Sequence, residues 1–196
     1  MGTLELHPAA ERPDLLAPPV AAAVSAYPDL DAQVAEIDPE LADTSAFCER
    51  YAVGLDVSAN CVVVLGRRGG ESRFAACVVL ATTRADVNGV VRRRLDARRA
   101  SFAPMDVAVA ETGMEYGGIT PLGLPPGWAL LVDARVVGVP LVVVGSGLRR
   151  SKVVLPGAAL ALLPGAEVLD DLAAPPTPAA QEPLRAVPDA QADRTA

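Results

Sequence analysis

The stretch Gly113-Met114-Glu115-Tyr116-Gly117-Gly118-Ile119-Thr120-Pro121-Leu122-Gly123 constrains the fold more than any other part of the chain. It is too polar for a buried strand and too rich in glycine for a helix, so the flanking elements must be arranged around a loop. Its glycines permit positive φ and a close approach of backbone to a partner. Thr120 precedes a proline and is driven towards extended geometry, which stiffens an otherwise permissive segment. A stiff loop presenting backbone N–H groups suits a carbonyl or an oxyanion. A tight turn between two elements accounts for the same residues, and loop chemistry alone leaves both readings open.

With 196 residues, 51% of them hydrophobic, the chain can build one domain with a sizeable core. Prolines gather near both ends. A flexible segment over 1–24 and a disordered tail over 173–196 are expected to flank a domain over 25–172. Apolar runs such as 136–144 are too short and glycine-broken to span a membrane. The N-terminus carries no basic stretch followed by an apolar block, so the cytoplasm is the expected location. Cys48, Cys61 and Cys77 are far apart, without a Cys-x-x-Cys pair, which argues against a disulfide framework or a zinc site. His7 is the only histidine and sits in the proline-marked N-terminus. That removes a Ser–His–Asp triad, a Cys–His pair and histidine-built metal centres. Neither a metal nor a cofactor is expected.

The net charge of −7 conceals an uneven distribution. Residues 1–49 carry ten acidic groups and one basic, and residues 165–196 carry six and two. Between them, residues 50–164 hold fourteen basic groups against eight acidic, a net of +6. A basic middle between acidic ends suits a phosphate-rich ligand.

The patterning interleaves strands and helices. A helix is expected within 15–26 after Pro18-Pro19, then a short strand near Val34 to Asp38, then a helix capped at Asp43-Thr44 with Phe47, Cys48 and Tyr51 on one face. Residues 60–65 and 74–81 are β-branched runs around a glycine- and arginine-rich tip, which reads as a hairpin. Thr83 is placed to cap a helix burying Val87, Val90, Val91 and Leu95. Six arginines lie between Arg84 and Arg99, and Arg92, Arg93 and Arg98 among them are candidate phosphate contacts, although a solvated helix face accounts for them equally. A short helix over 105–112 leads into the glycine loop. Trp128 reads as a packing residue, and with aromatics at 4% no base-stacking surface is legible. Strands are expected at 129–132, 139–144, 152–155 and 166–169, with a helical turn from Pro156. The result is a mixed α/β domain.

Residues 116–123 resemble the signature loop of the YbaK-type aminoacyl-tRNA editing domain, the prolyl-tRNA synthetase-associated domain. The likeness extends upstream through residues 97–103 and downstream through Leu131-Val132-Asp133 and 143–147, and spans roughly residues 25–172. It implies a single mixed-sheet α/β domain with surrounding helices. It also implies hydrolysis of the ester that joins a wrongly attached amino acid to tRNA. In that family the backbone N–H groups of the loop, here around Gly117 and Gly118, meet the substrate carbonyl, and the substrate's own ribose hydroxyl is described as activating the water. Tyr116, Ile119, Thr120, Pro121, Asp133, Gly145, Ser146 and Gly147 are the implied pocket residues. The partners implied are the aminoacylated 3′ end of tRNA and, as a further candidate, an aminoacyl-tRNA synthetase.

One position departs from the pattern. The family carries a lysine at the start of the strand after its first conserved helix, and Asn60 stands there in this chain. Asparagine hydrogen-bonds ribose or phosphate oxygens but brings no charge. Lys152, the only lysine, is a candidate phosphate contact, and Lys152 or Arg149 and Arg150 are alternative sources of that charge from another strand. Two functions follow: a trans-acting deacylase for a small amino acid, and a non-catalytic tRNA- or aminoacyl-nucleotide-binding module that has lost the family lysine. A scaffold working through its acidic ends is a third.

Overall fold

The structure, a computed structural model, describes residues 1–176. In chain order its regular elements are β1 (His7–Pro8), α1 (Pro18–Ala26), β2 (Gln33–Glu36), α2 (Thr44–Tyr51), β3 (Ala59–Arg68), β4 (Glu71–Leu80), β5 (Arg84–Ala85), α3 (Arg92–Arg94), β6 (Arg99–Phe102), α4 (Met105–Thr112), β7 (Ala129–Asp133), α5 (Ala134–Val137), β8 (Val142–Gly145), β9 (Ser151–Leu155), β10 (Ala166–Leu169) and β11 (Ala173–Ala174).

The β-branched runs form the long β3–β4 hairpin, paired from Ala59↔Leu80 to Arg68↔Glu71. Its turn is shorter than the expected tip, because Gly69 and Gly70 both take positive φ, 60° and 90°, and close it in two residues. The hairpin sits in a mixed five-stranded sheet, β10-β7-β4-β3-β6. There β7 runs parallel to β4 and β10, while β3 runs antiparallel to β4 and β6. A second, antiparallel sheet has the order β1-β2-β9-β8. The sheets meet where Ser58 bridges Val143 and the Val143 N–H donates to the Val57 carbonyl at 2.8 Å. The expected domain is therefore α/β, with its strands divided between two principal sheets.

One core cluster lies between α1 and both sheets, gathering Val20, Val34, Met114, Leu122, Val132, Val153 and Leu160. A second joins the other face of the hairpin to Val87, Val90, Val91 and Leu95, the four residues expected to share a buried stripe. That helix differs in detail. Arg84–Ala85 pairs with β11, so the start moves to Asp86, whose carboxylate accepts from the Gly89 and Val90 N–H groups, and residues 87–91 form a π-helical turn.

Three further expectations are corrected. Residues 1–24 are packed rather than loose: Ala9, Leu15, Leu16, Ala17 and Val20 are buried, and the Ala17 N–H donates to the Ser146 carbonyl at 3.1 Å. Prolines break that segment into short turns, yet its leucines still reach the core. Ala173 and Ala174, placed in the tail, form β11, and the rest of that tail call falls at 177–196, outside the described residues. Residues 99–102, expected to lead into a helix, form β6 at the sheet edge. Trp128 packs as expected, its ring stacked on Phe74 with centroids 4.6 Å apart.

Candidate functional site

Helix α4 delivers the chain into the glycine loop through Gly113 at φ 64°. The loop is then stitched to the turn following β8. The Glu115 N–H donates to the Gly147 carbonyl at 2.8 Å, and the Gly147 N–H returns a bond of 2.8 Å to the Gly118 carbonyl. The Glu115 carboxylate accepts from the Arg149 N–H at 2.6 Å, and the Arg149 guanidinium donates to the Tyr116 carbonyl. Two glycine-rich backbones are thus pressed together. A Cβ on Gly118 would lie 2.7 Å from the Leu148 carbonyl oxygen, and one on Gly145 would overlap that of Gly118.

Between this loop and the start of β3 lies a cavity of about 480 Å³. Tyr116, Gly117 and Ile119 line one side, Asn60 and Cys61 another, and Gly145, Arg149 and Lys152 a third. Among the described residues, the Gly117 and Ile119 N–H groups have no hydrogen-bond acceptor within the chain. The Gly118 N–H, expected beside that of Gly117, is spent on the Glu115 carbonyl at 2.9 Å. The cavity-lining loop N–H groups left without an acceptor are therefore those of Tyr116, Gly117 and Ile119.

Asn60 lines the cavity, with its Oδ1 accepting from the Thr44 hydroxyl at 2.7 Å. Thr44 is the first residue of α2, which Asp43 caps by accepting the Ser45 N–H. Lys152, a candidate phosphate contact, is only 7% exposed. It lies in mid-sheet, paired with Ala35 of β2 and Gly145 of β8. Its Nζ donates to the Ala42 carbonyl at 3.0 Å and lies 5.3 Å from the centre of the Phe47 ring. Burial pushes its pKa below the usual lysine value, and Arg149 pushes the same way, against opposing pulls from Cys48 and Asp43. Among the described residues no carboxylate pairs with it.

Several expected pocket residues do not line the cavity. Asp133, 1% exposed, accepts the N–H groups of Arg135 and Ala173, so it caps α5 and anchors β11. Ser146 is fully buried and ties its own turn through Leu148 and Ser151. Gly147 stands behind the loop, where its missing Cβ makes room for Ala17. Thr120 and Pro121 face the interior, and the Thr120 hydroxyl is the one buried side-chain N or O atom without a partner among the described residues. Arg92 and Arg98 line an open groove along β6, which Arg93 does not reach. Arg149, one of the alternative sources of charge, lines the cavity; sequence reasoning missed Thr44 and the exposed rim of Phe102 and Met105, because nothing local marks them as neighbours of the loop.

The three thiols offer no nucleophile. Cys61 is at the cavity wall, but desolvation raises its pKa far above the ordinary range and keeps it protonated. Burial also raises Cys77, to about 12, and Cys48.

The architecture is thus a mixed α/β frame that holds a glycine loop over a half-open cavity. Residues 38–163 match the model of the aminoacyl-tRNA editing domain, and the chain belongs to that family. Solved structures share the fold. A proposed trans-editing enzyme for prolyl tRNA synthetase is 21% identical at a TM-score of 0.67, over 79% of this chain and 94% of that one. A hypothetical protein is 20% identical at 0.69, over 80% and 99%. A scaffold carrying a grafted linear epitope is 20% identical at 0.66, over 79% and 95%. No curated protein matches the chain. No helix among the described residues is long and apolar enough to cross a membrane.

Proposed function

We propose that the protein is a trans-acting aminoacyl-tRNA deacylase that hydrolyses the ester of a small amino acid mischarged on tRNA. The observation that carries this reading is the meeting, in one cavity, of the unpartnered Gly117 and Ile119 N–H groups with the buried amine of Lys152. The two N–H groups suit the oxygen of the ester carbonyl, which gains negative charge as water adds. Lys152 brings a positive charge from β9 to a cavity where Asn60 brings none. Asn60, steadied by Thr44, has its amide N–H₂ to give to a ribose oxygen. Water adds to the acyl carbon, the bond from that carbon to the ribose oxygen breaks, and a proton passes to the departing oxygen. The substrate's ribose hydroxyl takes the place of a protein base, since His7 lies on β1 and does not line the cavity. A volume of about 480 Å³ suits a small aminoacyl group with its ribose. Transfer RNA is the partner, an aminoacyl-tRNA synthetase a further one, and the cytoplasm the place of action.

Asn60 also favours a second reading, a binding module without turnover. Purified protein incubated with tRNAs mischarged with alanine, serine or cysteine separates the two. Hydrolysis well above the spontaneous rate is expected. Silence from the wild type, with activity appearing in Asn60→Lys, would establish the binding module instead.

A further inference from the structure

Strand β6 is the free edge of the five-stranded sheet, and it separates the cavity from two open grooves. Phe102, at one end of β6, lines both the cavity and the nearer groove. Arg67, Arg92, Arg98 and Arg99 line that nearer groove, and no carboxylate does. Arg67, Arg98 and Arg99 continue into the groove at the hairpin tip. The cavity and both grooves therefore form one path.

The charges on this path are arranged at a cost. Arg67 and Arg99 stand directly opposite each other across β3 and β6, and like charges in that relation destabilise a sheet. Among the described residues neither has a carboxylate partner, and nor do Arg92 and Arg98. The remaining arginines nearby are neutralised: Arg68, which with Glu71 lines the tip groove, by Asp96, Arg73 by Glu71 and Asp96, and Arg94 by Glu167. Acidic residues are thus available nearby, and they pair with these arginines only. An unneutralised cation pair on a sheet edge fits an anion that arrives from outside.

The mouth of the cavity has a different character. Phe102, Met105 and Tyr116 are 62%, 54% and 57% exposed, and all three line it. Large apolar side chains held in water around one opening mark a contact surface. Aromatic faces followed by an arginine-lined groove are the means by which proteins hold single-stranded nucleic acid: bases stack on the rings and phosphates meet the cations.

Resting on the deacylase reading, we propose that β6 is the track for the single-stranded 3′ end of the tRNA. The aminoacyl ester enters the cavity, the terminal base lies on Phe102 and Tyr116, and the preceding phosphates cross Arg67, Arg98 and Arg99. From Phe102 to Arg99 the strand runs about 10 Å, so the arginines meet the phosphates just upstream of the terminal nucleoside.

The test is direct binding, read by fluorescence anisotropy. The probe is a short 5′-labelled single-stranded RNA ending in CCA, with alanine joined through a 3′ amide that cannot be hydrolysed. The double variant Arg67→Ala/Arg99→Ala is expected to bind at least about ten-fold more weakly. The slope of log K against log salt should become shallower by about 1.4, since each lost phosphate contact on a single strand removes about 0.7. Phe102→Ala should weaken binding about ten-fold with its salt slope unchanged. Arg73→Ala/Arg94→Ala, from the neutralised set and outside both grooves, should keep the wild-type slope. The melting temperature of Arg67→Ala/Arg99→Ala should not fall, because an opposed like-charge pair has been removed; a fall would mark the pair as structural and overturn the assignment. An unchanged affinity and slope in that variant, with the wild type still hydrolysing mischarged tRNA, refutes the track and leaves the deacylase reading intact. A wild type that binds through the groove without hydrolysing refutes the deacylase reading and leaves the track. Absence of binding by the wild type at low salt refutes the track.

Discussion

Replacing Lys152 by Met tests the chemistry of the cavity most sharply, because activity and stability should part company. The amine is buried with one recorded hydrogen bond, to the Ala42 carbonyl at 3.0 Å, and no carboxylate partner among the described residues. Met fills nearly the same volume and removes the desolvation cost of the charge, while the Ala42 carbonyl loses a charge-assisted bond worth about 1.5–3 kcal/mol. These effects oppose each other, so the net change in stability should stay within about 1 kcal/mol, or about 2–4 °C in melting temperature for a chain of this size. Loss of the cation from a desolvated site should instead cost about 10²–10³-fold in rate. Single-turnover release of labelled amino acid from mischarged tRNA, beside a thermal melt, reads both quantities.

The pH dependence of Lys152→Met carries an independent sign. The folded-state pKa of Lys152 lies below its unfolded value, so above the folded pKa the unfolded chain binds more protons and stability rises with pH. The penalty that Met removes is therefore full below the folded pKa and fades as pH climbs towards the ordinary lysine value of 10.5. Wild-type deacylation should fall as pH rises through the depressed pKa, while Lys152→Arg should show no such fall. A Met variant that hydrolyses at the wild-type rate would refute the role given to this cation.

Two further substitutions probe the loop. Gly145→Ala places a Cβ where the Gly118 carbonyl now sits, and should cost about 1–3 kcal/mol together with deacylation; unchanged activity and melting temperature would show that the loop can yield. Thr120→Val removes the lone unpartnered buried hydroxyl among the described residues, and should stabilise the protein by about 1 kcal/mol or more in urea unfolding. A loss of stability there would mean that the hydroxyl is satisfied.

The sequence read well where local chemistry decides structure. The β3–β4 hairpin follows from β-branched runs around Gly69-Gly70, α4 from its position between Pro104 and Gly113, and α2 from Asp43 as its cap. It read poorly where partners are distant. Arg99–Phe102 alternates polar and apolar over only four residues, too short a run to mark a strand, and it is one because β3 offers an open edge. The 1–24 segment looked loose because its prolines exclude long helices, although burial needs only that Leu15, Leu16 and Val20 find a surface. Lys152 and Asn60 lie 92 residues apart in the numbering and line the same cavity. Nothing in either neighbourhood announces the other. Asp133 is a pocket residue only by the family resemblance, and its carboxylate serves the N–H groups of Arg135 and Ala173.

The beginning of the chain holds the loop from behind. Ala17 fits where Gly147 has no Cβ, the Pro19 carbonyl lies against Gly123, and the Ser151 hydroxyl donates to the Leu15 carbonyl at 2.6 Å. Residues 15–19 thus touch the far end of the loop and the turn beneath it, and all of them lie upstream of the family-matched span of 38–163. Trimming the protein to that span would uncover Leu122 and Met114 and take away the brace that fixes Gly117 and Ile119. The packed unit is wider than the 38–163 span that matches the family.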